Sequence, residues 1–254
     1  MAIIYGPVAS WRLGRSLGID LLNARRKVCS FNCVYCQLGK TGRLIVEPGE
    51  FVSLQQLTSE IKLLGPIEAD YVTFSGTGEP TLASNLGEAI ELARSILGLP
   101  VAVLTNSSLM SRKDVRQQLA LADTIVAKLD APNEETLALV NRPAPALHFN
   151  QIRDSIRLFR KEYRGKLALQ VMFIETNKNY ASEIAALARQ MSPDEVQINT
   201  PMRPCAVRPL LPESIAEIRR EFTNLSNVVT VYEAPKPEVV PLNLAETLRR
   251  RPEL

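Results

Sequence analysis

The sequence predicts an α/β protein organised on a parallel sheet, and two observations carry that prediction. Short apolar runs rich in β-branched residues recur along the chain, as buried parallel strands do, and segments of helical periodicity lie between them. An alternation this long needs right-handed crossovers onto one sheet, which leaves an open doubly wound sheet or a complete or partial barrel. In either arrangement ligands gather at the carboxyl ends of the strands.

Residues 16–22 read as the first strand, followed by runs at 71–75, 101–105, 124–130, 167–173, 195–199 and 228–232. Between them, Leu54, Leu57, Ile61 and Leu64 share one helix face, and Ser53 with Gln56 forms a capping box at its start. Leu86, Ile90, Ala93 and Leu97 make a second apolar stripe. Further stripes are Ile152–Ile156–Phe159, Ile184–Leu187–Met191 and Ile215–Ile218–Phe222. No internal repeat, low-complexity tract or Gly/Ser linker divides the chain. A single domain over 1–254 is expected, with the sheet in 16–232 and a C-terminal tail in 233–254.

Composition is that of an ordinary globular protein, with 254 residues, 46% hydrophobic and 22% charged. No run approaches the ~18 consecutive apolar residues of a membrane span. The first residues lack the basic flank and apolar core of a signal peptide, so the cytoplasm is the expected location and no membrane partner is expected. Net charge is only +3, from 30 Lys+Arg against 27 Asp+Glu, which excludes a global polycation. Basic residues bunch locally at Arg25-Arg26-Lys27, at Arg203 with Arg208, and at Arg249-Arg250-Arg251.

Three of the four cysteines, Cys29, Cys33 and Cys36, fall within eight residues in the spacing C-x3-C-x2-C. A disulfide framework does not suit so long a chain, and such a cluster in a reducing compartment points to a metal. Thiolates serve zinc or iron–sulfur clusters equally well. Structural zinc wants four ligands, yet His148 and Cys205 lie far off in sequence. A [4Fe–4S] cubane on three thiolates keeps one iron open for a further ligand.

A second motif ends the next strand: Phe74-Ser75-Gly76-Thr77-Gly78-Glu79-Pro80-Thr81. A glycine-rich turn exposes backbone groups to the close approach of a ligand. Polar residues also mark later strand ends: Asn106, Asp130 and Asn199, with Gln170 inside its run. Polar side chains in apolar runs need partners, either backbone in βα loops or a ligand at the mouth.

The cysteine spacing, with an aromatic just before the last cysteine, resembles the radical S-adenosylmethionine (SAM) signature. The Gly78-Glu79-Pro80 turn is similar to that superfamily's second-strand motif, with Thr77 in place of its first glycine. Tyr5-Gly6-Pro7-Val8, Arg12-Leu13-Gly14, Ser16-Leu17-Gly18-Ile19-Asp20 and Cys36-Gln37-Leu38-Gly39 extend the likeness. So do Lys128-Leu129-Asp130, Asn141-Arg142-Pro143 and Asn199-Thr200-Pro201-Met202-Arg203-Pro204. Together they resemble a radical SAM group related to the wyosine-type tRNA-modifying synthases. Trp11 stands where that pattern has a second arginine, and the segment 246–251 resembles the start of a C-terminal extension in relatives.

The resemblance implies a partial (β/α)6 TIM-like barrel and a [4Fe–4S] cluster on Cys29, Cys33 and Cys36, with SAM chelated at the open iron. It implies reductive cleavage of SAM to a 5′-deoxyadenosyl radical, driven by a low-potential donor such as flavodoxin or ferredoxin. It places Tyr35 near the adenine and the turn Gly76, Thr77, Gly78 and Glu79 near the methionine moiety. Asn106, Asp130, Gln170 and Asn199 are candidates to touch ribose, adenine or substrate. The substrate is unidentified. RNA is the first expectation, because Arg25, Arg26, Lys27, Lys40, Arg203 and Arg208 would ring the mouth of such a barrel. The alternative functions are a wyosine-like tRNA-modifying enzyme or an RNA-binding iron–sulfur protein. The wyosine synthases use a second cluster, but this sequence has no cysteine before Cys29, which argues against the same reaction.

Overall fold

The computed structural model describes residues 1–252. Eight strands form one sheet in sequence order: β1 (Ile4–Ser10), β2 (Gly14–Ile19), β3 (Tyr71–Phe74), β4 (Val101–Thr105), β5 (Thr124–Lys128), β6 (Lys166–Met172), β7 (Glu195–Asn199) and β8 (Val228–Thr230). β1 runs antiparallel to β2, and every later neighbour is parallel. The sheet curls into a half-barrel, and β2 to β7 supply the six parallel strands of the expected partial (β/α)6 barrel.

The crossovers are α1 (Leu54–Lys62), α2 (Leu86–Leu97), α3 (Lys113–Leu119), α4 (Glu134–Val140), α5 (Phe149–Glu162), α6 (Ala181–Met191) and α7 (Pro212–Glu221). Their apolar stripes are the buried ones: Leu57 and Ile61 in α1, Ile152, Ile156 and Phe159 in α5. The Ser53–Gln56 capping box forms as expected, satisfying backbone donors that the first turn of α1 leaves open. No helix among the described residues is long and apolar enough to cross a membrane.

Three features depart from the sequence reading. β1 precedes the expected first strand, because Gly6-Pro7 interrupts its apolar run and reads as a turn. Pro7 lacks an N–H, which an edge strand tolerates, and the register shifts between Tyr5 and Val8. α3 and α4 have seven residues each, too short for a periodicity to emerge. The third is the segment after β8, which ends in α8 (Leu244–Arg250) and folds back onto β1.

Polar contacts line the concave face of the sheet. Ser16 and Thr73 hydroxyls meet at 2.6 Å, and the Tyr5 and Ser75 hydroxyls at 2.7 Å. Gly18 makes room for the Tyr5 ring, since a Cβ there would lie 2.2 Å from Tyr5 Cζ. Strand alternation puts Glu195, Gln197 and Asn199 on the same face of β7.

The returning segment is tied to β1 by backbone and side chain. Leu242 N donates to Gly6 O at 2.6 Å, and Gly6 N donates to Thr247 Oγ1 at 3.0 Å. Arg250 is wholly buried. Its guanidinium donates to Asp20 Oδ2 (2.9 Å), Glu246 Oε2 (2.7 Å), Ala2 O (2.6 Å) and Asn23 Oδ1 (2.9 Å), and lies 4.9 Å from the Tyr5 ring centroid. A buried charge is tolerable only when paired and fully hydrogen-bonded, and the planar fork of arginine meets that demand here. Arg250→Lys cannot reproduce these contacts and should lower the unfolding free energy by about 3 kcal/mol. Arg249→Lys, at a half-buried position, should cost about 1 kcal/mol or less. Urea denaturation of the two variants checks both values.

Candidate active site at the mouth of the half-barrel

Asp20 directly follows β2 and ties together three segments of the site. Its Oδ1 accepts from Leu22 N (3.2 Å), Asn23 N (3.0 Å) and Thr77 Oγ1 (3.2 Å), and its Oδ2 from Thr77 N (3.1 Å) and Arg250 Nε. The carboxylate thus joins the start of the cysteine loop, the glycine turn after β3 and the C-terminal helix. Gly76 sits at φ +146, and a Cβ there would fall 2.3 Å from Asp20 Cγ. Glycine is required on both counts.

The cysteine loop docks directly on that turn. Val28 N donates to Thr77 O at 3.0 Å, and Glu79 N donates to Val28 O at 3.1 Å, a short parallel bridge between the two motifs. A Cβ on Gly78 would lie 1.5 Å from Val28 O, so no other residue permits the contact. Two further attachments hold the loop. Val34 N donates to Val140 O and Asn32 N to Asn141 O, both at 3.0 Å, fixing it to the end of α4. Gln37 Nε2 donates to Arg250 O at 2.8 Å.

Cys29 is buried, and Cys33 and Cys36 are half-buried. Phe31 N and Asn106 Nδ2 each reach Cys29 Sγ at 3.5 Å, and Asn141 Nδ2 reaches Cys33 Sγ at 3.5 Å. Burial pushes the Cys29 thiol up to about 12 and raises that of Cys33. The Lys27 ammonium is buried without a hydrogen-bond partner, and its charge acts on both cysteines. Among the described residues, no three His, Cys, Asp or Glu side chains converge closely enough to hold a single metal ion.

The remaining candidates divide by what they touch. Glu79 is buried; its Oε1 accepts from Thr81 N (3.2 Å), Thr81 Oγ1 (2.7 Å) and Thr105 Oγ1 (2.7 Å), and its Oε2 from Asn106 N (2.7 Å). Burial raises its pKa, and these donors pull it back. Its side chain therefore ties the end of β3 to the end of β4. Asn106 is likewise engaged, donating to Ser30 Oγ (2.9 Å) and accepting from Ser108 N (2.9 Å).

Asp130 accepts from Tyr35 Oη, from Asn141 Nδ2 at 2.8 Å and from Met172 N at 2.7 Å. Burial, then the charge of Asp130, holds the Tyr35 phenol well above its usual pKa. Lys128 covers the Tyr35 ring at 4.6 Å from its centroid. Gln170 is buried within β6 with Nε2 unpartnered, and Asn199 accepts from Thr200 N at 2.9 Å.

Tyr35 and Asn199 line a cavity of about 520 Å³ inside the half-barrel. Thr77, Gly78, Asn106 and Asp130 stand at the same end of the sheet and do not line it.

One sequence expectation is corrected. Lys27, expected on an exposed rim, is buried because the loop turns inward at the bridge with Gly78. Arg203, expected on the same rim, follows β7 at the carboxyl end of the sheet and lines the cavity. Asn141 had no expected role, yet its amide meets Cys33, Tyr35 and Asp130 together. The Asn-Arg-Pro triplet that carries it was the available signal. His148 directly precedes α5 and lies 3.6 Å from Glu134. Cys205 donates to Val207 O at 3.1 Å.

Residues 27–188 match the family described as the Radical SAM superfamily. The chain belongs to that superfamily. A UPF0026 protein of Synechocystis sp. is 42% identical over 205 residues, covering 79% of this chain and 76% of the relative. The fold is similar to that of Streptococcus suis SuiB bound to S-adenosylmethionine, at TM-score 0.60 and 14% identity, over 86% of this chain. This radical SAM chain spans only 50% of SuiB. Archaeal TYW1 is similar at TM-score 0.58 and 15% identity, covering 81% of this chain and 70% of that one.

Gly78→Ala tests the bridge. The substitution forces Val28 O away, so amide exchange at Val28 and Glu79 should accelerate roughly 30-fold or more, the equivalent of about 2 kcal/mol, while core amides of β4 to β6 stay protected. Hydrogen exchange read by mass spectrometry or NMR gives the comparison.

Proposed function

We propose that this radical SAM chain is an enzyme that holds a [4Fe–4S] cluster on Cys29, Cys33 and Cys36 and binds SAM beside the glycine turn. One observation carries the reading: the bridge between Val28 and Gly78 seats the cysteine loop on the turn, at the carboxyl ends of the parallel strands. The donor set fits such a cluster. The thiols receive N–H donors from Phe31, Asn106 and Asn141, which suit the charge of bound thiolates. A cubane held by three thiolates keeps one iron open for a further ligand.

When bound, the cluster supplies one electron for reductive cleavage of SAM, and so a hydrogen-abstracting radical. The protein's own residues position and shield. Glu79 and Asp130 are positioning residues: they hold Asn106 and Asn141 against the cysteine loop, and Asp130 also accepts from that loop's Tyr35. The methionine moiety would lie beside the turn Gly76–Glu79, whose Thr77 N and O are already engaged by Asp20 and Val28, and Asn199 and Gln170 are the polar groups left for ribose or substrate. The electron comes from a low-potential donor of the flavodoxin or ferredoxin kind. Anaerobic reconstitution should give about four iron and four sulfide per chain. Alanine at Cys29, Cys33 or Cys36 should abolish loading, and Cys205→Ala should leave it intact. Stoichiometric tetrahedral zinc in anaerobically purified protein would sink the reading.

RNA is a second reading of the substrate, favoured by the exposure of Arg25, Arg26, Lys40 and Arg208. It requires tRNA binding whose affinity falls steeply with salt, because each neutralised phosphate releases counterions. Arg25→Gln with Arg26→Gln should then flatten the salt slope by about 2 in log–log terms. Filter binding at several salt concentrations measures it, and absence of binding at low salt removes RNA.

A further inference from the structure

The cavity inside the half-barrel has an uneven charge. Arg12, Arg203, Lys236 and Arg251 line it, and among the described residues lining it there is no Asp or Glu. The turn that carries Trp11 and Arg12 joins β1 to β2, and so lies at the amino ends of the parallel strands, opposite the cysteine loop. The cavity therefore has a mouth end, with Tyr35 and Asn199, and a far end, with Trp11 and Arg12.

Arg12 Nε is buried with no hydrogen-bond partner, and its guanidinium lies 5.2 Å from the Trp11 ring centroid. Burial, then the charges of Arg251 and Arg203, lower its pKa to about 9, which leaves it cationic at neutral pH. Glu195 acts on it from the first position of β7, but that carboxylate already accepts from Lys166 Nζ (2.7 Å), Gln197 Nε2 (2.6 Å) and Asn227 Nδ2 (3.1 Å). Arg251 donates to two neutral acceptors, Arg250 O at 2.8 Å and Ser75 Oγ at 2.9 Å. The nearby carboxylates of Asp20 and Glu246 are engaged by Arg250.

Like charges brought together in a poorly solvated space repel, and an anion relieves them. SAM carries a net positive charge, so the arginines of this lining suit an anionic group on the other reactant. We infer that the cavity binds an anionic group of the substrate, a phosphate or a carboxylate, between Arg12 and Arg251. The word substrate rests on the radical SAM reading above; the anion site does not. Arginine forks match both groups in bidentate geometry. A space of about 520 Å³ takes a metabolite or a single nucleotide. Arg251 donates to Ser75 just past the carboxyl end of β3, so an anion held there lies toward the mouth, where the cysteine loop stands.

Trp11 is the chain's one tryptophan, so its emission reports on this cavity alone. Cluster-loaded protein would be titrated with inorganic pyrophosphate, a nucleoside 5′-monophosphate, the matching uncharged nucleoside, malate and bulk tRNA, with equilibrium dialysis as a second readout. Saturable binding of a small anion, with no response to the nucleoside, is the expected result, and the phosphate and malate arms identify the group. Arg12→Gln and Arg251→Gln should each weaken that binding about tenfold or more, and Arg12→Lys, which keeps the charge but not the fork, should weaken it less than Arg12→Gln. Circular dichroism verifies folding, and Arg251→Gln keeps the test open if Arg12→Gln does not fold. The inference is overturned if no small anion binds, if both Gln variants bind as the parent does, or if only tRNA binds. SAM cleavage by the unaltered protein without any anion is scored separately. Cleavage without anion binding removes this site and leaves the radical SAM reading standing; anion binding without cleavage does the reverse.

Discussion

The architecture of the site depends on a contact between two backbones. Val28 and the Thr77–Glu79 stretch exchange two hydrogen bonds across Gly78, at a separation that leaves no room for a Cβ. Two such bonds contribute only about 2 kcal/mol net. What makes the contact specific is steric exclusion: any side chain at 78 lifts the cysteine loop off the turn. A loop with little regular secondary structure is thereby given one position relative to the sheet. Asp20, reached from Thr77 of the turn, from the chain at Leu22–Asn23 and from Arg250, keeps that position from relaxing.

Around this contact the carboxylates act as brackets between strands. Glu79 connects β3 to β4, and Asp130 connects β5 to β6 through Met172 N. Each has its oxygens filled by protein donors, and each neighbours a residue that touches a cysteine: Asn106 for Cys29, Asn141 for Cys33. Hydrogen bonding of this kind orients metal ligands from behind. The inward faces of β6 and β7 differ, because Gln170 Nε2 and Gln197 Oε1 are buried and unpartnered. Leaving such atoms unsatisfied costs about 1–3 kcal/mol each in a closed core, a loss that a polar ligand or water recovers.

The parts legible in the sequence are those encoded locally. The cysteine spacing and the Gly76–Pro80 turn each occupy fewer than ten consecutive residues, and the strands that place them are short β-branched runs. Arrangement was legible where one rule sufficed: parallel strands put their carboxyl ends together. Partnerships across distance were not. Arg250 meets Asp20 across 230 positions, and Asn141 meets Cys33 across 108. The identity of Glu79 was readable, but not that its carboxylate faces Thr81, Thr105 and Asn106. β1 was hidden by a Gly-Pro pair whose usual meaning is a turn, and α8 by having only seven residues.

A half-barrel, unlike a closed one, keeps two free edges, and exposed edges are templates for unwanted pairing. The returning C-terminal segment gives one of them a covering. Leu242 N occupies Gly6 O, Thr247 Oγ1 occupies Gly6 N, and Pro7 presents no donor. The other edge, β8, is only three residues long. The sheet is thus blunted at both ends without being closed. The molecule can keep its concave face open to reactants while denying neighbouring copies a strand on which to grow.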